Sequence, residues 1–251
     1  LSEYGTVTVP DFPGFGGMDS FNKIGEDNTI EAFADYLAAF VKMRYKNRRF
    51  VIAGMSFGFI VATRMLQKYP ELVKKVDLMV SIVGFTHKDD FKIKPMTMFL
   101  WKTTITLLKF PPFRWFFKYV VINPIMLRLF YAKMPVSKNK FVGLSKEEFK
   151  RNINFEIYLW QCNDVKTWIE TAAAMLDVDI TKQKVPLTLH HVSVSGDHFF
   201  NGAVVEQHMR IIFDDFIEYR TKMTSHAPSL IADEKTIESL FPRKLRAQLV
   251  V

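Results

Sequence analysis

Gly54-Met55-Ser56-Phe57-Gly58 is the stretch of this sequence best suited to covalent chemistry. An apolar β-branched run, Phe50-Val-Ile-Ala53, stands directly before it, and a helical pattern from Phe59 to Lys68 follows. A serine on a sharp strand-to-helix turn projects its hydroxyl at the C-terminal edge of a sheet, where open α/β folds bind ligands. Glycines two places before and two places after would relieve the crowding of such a turn. The start of the helix would hold the Phe57 N–H near a developing oxyanion. The chemistry implied is attack on a carbonyl, which requires a base to take the serine proton. The plainer reading is a Gly-Ser turn with no chemistry.

The elements that must position this turn alternate between strand and helix. Thr6–Val9 reads as a buried strand ending at Pro10, and residues 11–17 as a loop. Asn28 or Thr29 caps a helix running to about Tyr45, with Ile30, Phe33, Leu37, Phe40 and Val41 at helical spacing. Val76–Val83 is a third strand. The rhythm then breaks for about a hundred residues and resumes with a strand at Leu187–Val194. A helix over 204–213, a strand from Phe216 to about Met223, and a final helix from Asp233 complete the pattern. This order predicts an α/β fold: a mostly parallel sheet flanked by helices, with right-handed crossovers and a helical lid inserted between two strands. The expected division is a core over 1–85, a lid over 86–184, and the rest of the core over 185–251.

Asp11-Phe-Pro-Gly-Phe-Gly-Gly-Met-Asp-Ser20 and the serine turn together resemble the α/β-hydrolase family. The first stretch is similar to that family's D-x-P-G-x-G-x-S loop, at the family's usual distance from the nucleophile. The resemblance covers about 5–85 and 185–242, with the long insertion standing where the family carries its lid. It implies a Ser, Asp, His triad in that chain order. Ser195-Gly-Asp-His-Phe-Phe200 then resembles the turn that carries the family's carboxylate, which makes Asp197 the candidate over Asp214 and Asp215. Ser225-His-Ala-Pro228 resembles the family's G-H-x-P loop, with serine in place of glycine. His226 is therefore the candidate base, 29 residues after Asp197. His190 and His191 fall in a strand, His208 on a helix, His198 beside Asp197, and His87 at the base of the insertion. The family's second oxyanion donor comes from a loop before the D-x-P-G-x-G segment. Here that segment begins at residue 11, so those first strands are expected to be missing from this chain.

Composition fits a globular chain: 49% apolar and 24% charged residues exclude a disordered or fibrous one. The single cysteine, Cys162, excludes an intrachain disulfide and a CxxC metal site, and suits a reducing, cytoplasmic compartment. No cofactor and no metal is expected. The net charge of +8 is concentrated: residues 87–150 hold 13 basic and 4 acidic residues. Aromatic residues interleave with them, from Phe91 through Trp101, Trp115 and Phe117 to Tyr131. That mixture reads as a helical insertion with a solvated lysine face and a buried aromatic face, or as peripheral contact with an anionic membrane. No nucleic-acid-binding signature accompanies it. The expected partner at the site is a small acyl or ester substrate, with Phe15, Met55, Phe85 and Trp160 as candidate apolar walls. The leading expectation is a serine hydrolase of carboxylic esters, lipid-like ones included. The alternatives are a peptidase or acyltransferase of the same family, or a non-catalytic or membrane-associated binding protein that keeps the fold.

Overall fold

The structure, a computed structural model, describes residues 2–133, 145–195, 197–221, 238 and 240–249. Its centre is a four-stranded, all-parallel sheet in the order β1 (Phe50–Met55), β2 (Val76–Ile82), β3 (Val185–Val194) and β4 (Phe213–Thr221). β2 is buried at every position but Asp77, as expected of a parallel strand covered on both faces. α1 (Ile30–Arg44) starts where the Thr29 hydroxyl accepts the Ala32 N–H at 3.1 Å. It buries Phe33, Ala34, Leu37, Ala38 and Val41 at helical spacing against α2 (Phe57–Lys68). α2 is buried on most of its surface, with Phe59, Ile60, Met65 and Leu66 in the core. On the far side of the insertion, α8 (Gly202–Ile212) packs Val205, Met209 and Ile212 into the same core.

Two sequence expectations change. Thr6–Val9 forms no strand; Val9 is 84% exposed, and this stretch pairs with no described strand. A β-branched run becomes a strand only when a ladder partner offsets the cost of ordering it. The last described strand begins at Phe213, three residues earlier than expected, because Phe213 is buried and pairs with Val185. The expected final helix from Asp233 falls mostly outside the described residues; Arg243–Arg246 form a short helical turn.

Between β2 and β3 the described chain is helical: α3 (Pro95–Leu108), α4 (Pro111–Phe116), a π-helical turn over Phe117–Val121, α5 (Pro124–Lys133), α6 (Lys146–Cys162) and α7 (Val165–Leu176). These helices enclose a small core of their own around Ile122, Leu127, Ile153, Ile157 and Ile169. The excursion leaves and returns at one place. Lys88 N–H donates to Val178 O at 2.7 Å, and Ile180 N–H donates to Thr86 O at 3.1 Å. Beneath this junction the fully buried Asp90 accepts the Thr86 and His87 N–H groups at 2.8 and 3.0 Å and pairs with His208. Those partners are what make a buried carboxylate tolerable.

His191 sits in β3, fully enclosed, with its Nδ1 2.9 Å from the Ser81 hydroxyl on β2. Burial pushes its pKa down from 6.5 to about 4, against a smaller opposing pull from Glu218 and Asp197. The folded imidazole therefore stays neutral while the unfolded one takes up a proton. Stability is undiminished above pH 6.5 and falls as pH drops from 6.5 toward 4, by on the order of 3 kcal/mol at the bottom of that window. His191→Gln is expected to lose less stability than the parent between pH 6.5 and 4.5 in urea unfolding. Identical losses in the two proteins would refute this account.

Candidate active site

Ser56 stands between β1 and α2 with φ 47° and ψ −115°, a left-handed conformation that non-glycine residues rarely adopt. Its N–H donates to Ile82 O at 3.1 Å, which ties the turn to the end of the neighbouring strand. Its side chain makes no helix-capping bond. Gly54 is what allows the turn: a Cβ there would lie 2.5 Å from Phe59 Cα and 2.7 Å from Phe59 N. Gly58, expected to relieve the same crowding, does not, since a Cβ built on it meets nothing within 4 Å. Phe57 is the first residue of α2, so its N–H has no partner within the helix. Val83, the residue directly after β2, is the other described non-glycine residue with positive φ, at 45°. Backbone strain thus stands at the C-terminal ends of two adjacent strands.

The turn opens on a cavity of about 470 Å³, within the range that suits small ligands. Phe85, Phe91 and Phe200 form one wall, with ring centroids 4.6 to 5.1 Å apart. The inner side of α3 contributes Trp101, Thr104, Ile105 and Leu108, and α7 contributes Trp168, Ala172, Met175 and Leu176. Apart from Ser56, Thr104 carries the only hydroxyl among the described lining residues. This lining would accept a hydrocarbon chain and shed water, which strengthens any electrostatic contact made beside it.

Of the residues singled out from sequence, Ser56 and Phe85 share this cavity. Phe15, Met55 and Phe57 line a different one, of about 480 Å³, beside β1. Trp160 packs inside the helical insertion, 5.2 Å from the Trp168 ring, and its indole N–H donates to the Tyr131 hydroxyl at 3.4 Å. Asp197 lies in the turn after β3, where its Oδ1 accepts the Phe199 and Phe200 N–H groups at 2.7 and 3.3 Å. The carboxylate thereby fixes two residues of the cavity wall. Asp197 itself lines an adjoining polar cavity, with Phe200 common to both. Two strand spacings, roughly 10 Å, separate the strand ends that carry Ser56 and Asp197. β4 ends at Thr221 on the same edge. His226 lies outside the described residues.

Four other histidines, His87, His190, His191 and His208, have structural partners. His87 packs 4.4 Å from His208 at the junction of the insertion, and His190 bonds the Tyr219 hydroxyl at 2.9 Å. Phe199 and Phe200 could have been picked out by their place directly after Asp197. The walls from α3 and α7 carry no local signal, since apolar residues at helical spacing read equally as core. Among the described residues no group of three or more His, Cys, Asp or Glu side chains is arranged to hold a metal ion.

Residues 5–114 match the family model described as the alpha/beta hydrolase fold. Solved structures extend the likeness along the chain. An esterase from Exiguobacterium antarcticum is 15% identical with a TM-score of 0.63, over 96% of this chain and 80% of its own. A thermophilic esterase from Thermogutta terrifontis is 13% identical with a TM-score of 0.59, over 96% and 79%. A hydrolase from Pseudomonas aeruginosa is 12% identical with a TM-score of 0.60, over 96% and 76%. No curated protein sequence matches the chain.

Proposed function

We propose, from the fold shared with the solved structures and the alpha/beta hydrolase model matched over residues 5–114, a serine hydrolase that cleaves a carboxylic ester with an apolar tail. His226 takes the Ser56 proton as Oγ attacks the ester carbonyl. Asp197 orients the imidazole and stabilises its charged form. The Phe57 N–H donates to the oxyanion. The alcohol departs with the proton held by His226, and water, deprotonated by the same imidazole, releases the acid from Ser56. One observation carries the reading: a serine held at positive φ opens directly on an almost wholly apolar cavity. That lining favours an ester over a peptide, whose flanking amides would find Thr104 as their only other hydroxyl among the described lining residues. Peripheral contact with an anionic membrane belongs to the same reading, as does the reducing, cytoplasmic setting that suits a single cysteine. Among the described residues no helix is long and apolar enough to cross a membrane.

A fluorophosphonate probe separates this from a binding protein that has kept the fold. It is expected to label the full chain at Ser56, and Ser56→Ala is expected to be inert. An unlabelled parent that is folded by circular dichroism would sink the enzymatic reading.

A further inference from the structure

α3 forms one wall of the cavity yet buries none of its own residues. Its sequence, Pro95-Met-Thr-Met-Phe-Leu-Trp-Lys-Thr-Thr-Ile-Thr-Leu-Leu108, is apolar on both sides. A helix of that kind normally lies inside a protein. Here the inner side lines the cavity, while Phe99 is 65% exposed on α3. The bare surface continues through Phe110, Phe113 and Trp115 to Ile125, which is 67% exposed. More than half of the exposed large apolar side chains among the described residues fall between Met96 and Phe130. A patch of that kind on a soluble fold marks a docking surface.

The charge around it selects the occupant. No Asp or Glu stands between Asp90 and Glu147. Lys109, Arg114 and Lys118 are interleaved with the exposed rings, and the Lys118 ammonium lies 5.5 Å from the Tyr119 ring centroid. Lysine and arginine stems can lie along an apolar surface while their charged ends reach phosphate. Aromatic rings among basic residues, with no acid between, suit the headgroup boundary of an anionic bilayer. We infer that the outer face of α3, α4 and α5 docks on an anionic membrane. Resting on the hydrolase reading, the lipid ester itself is then the substrate class, its tail passing from the bilayer into the cavity beneath α3. One helix thickness, about 10 Å, separates the two.

The test is co-sedimentation of the full chain with phosphatidylcholine vesicles, with and without 30% phosphatidylserine, followed also by tryptophan emission. Binding is expected to be at least tenfold tighter to the anionic vesicles and to weaken with salt. Lys109→Gln/Arg114→Gln/Lys118→Gln is expected to weaken it about a hundredfold. Phe113→Ser/Trp115→Ser is expected to abolish the emission shift. Both variants should keep the parent's turnover of a short soluble ester, which shows that the fold survives. Absent or charge-independent binding would overturn the inference, and so would a dimer in sedimentation equilibrium that Trp115→Glu dissociates. If instead the soluble ester is never turned over while anionic vesicles bind, the hydrolase reading fails and the docking surface stands.

Discussion

Replacing Ser56 with alanine is expected to lower turnover of a soluble ester by at least about 10⁴-fold with the thermal midpoint unchanged. Alanine removes the hydroxyl and leaves everything that holds the turn: the N–H bond to Ile82 O, the space at Gly54 and the helix that begins at Phe57. Glycine at the same position separates two properties that the serine combines. It too is expected to be inactive, but it accepts φ 47° without strain and should stabilise the fold by about 1 kcal/mol. An inert but more stable Ser56→Gly protein is thus the expected signature of a nucleophile kept in a costly conformation. Equal turnover in the parent and the alanine variant would end the proposed mechanism.

The second large effect belongs to Gly54. A methyl group there would stand 2.5 Å from Phe59 Cα, an atom of the α2 backbone that no side-chain rotation can move aside. α2 must shift as a body, and with it Phe59, Ile60, Met65 and Leu66, all in the core. Gly54→Ala is expected to cost about 2–4 kcal/mol in urea unfolding. Gly58→Ala is the control. Its methyl group would enter open space on the first turn of a helix, and a gain of up to about 1 kcal/mol is expected. Comparable losses at both positions would show that the motif's spacing, and not contact with Phe59, governs the turn.

The serine turn was legible because its requirements are local: an apolar strand, a glycine that admits the helix backbone, and a helix start within six residues. The parallel order of the strands was legible from their alternation with helices, and the insertion from the break in that rhythm. Thr6–Val9 was not, because strand propensity says nothing about whether a neighbour stands alongside. The walls of the cavity were only partly legible. Met55 and Phe57 flank Ser56 in the chain yet line the cavity beside β1, since a sharp turn sends adjacent side chains different ways. Trp101 and Trp168 share the serine's cavity only through the folding of α3 and α7 over the sheet edge. Chain distance predicts none of that.

The joint at Thr86 and Ile180 also bears on how such a chain can change over time. Two backbone hydrogen bonds bring the start and finish of the excursion together, so the sheet registers a single short span there however much polypeptide lies beyond it. Additional residues in the middle of that stretch would alter closure entropy only logarithmically. The strand pairing that carries Ser56 would be untouched. Substrate preference can therefore drift through gains and losses of length in the helical part while the reactive turn stays under separate constraint.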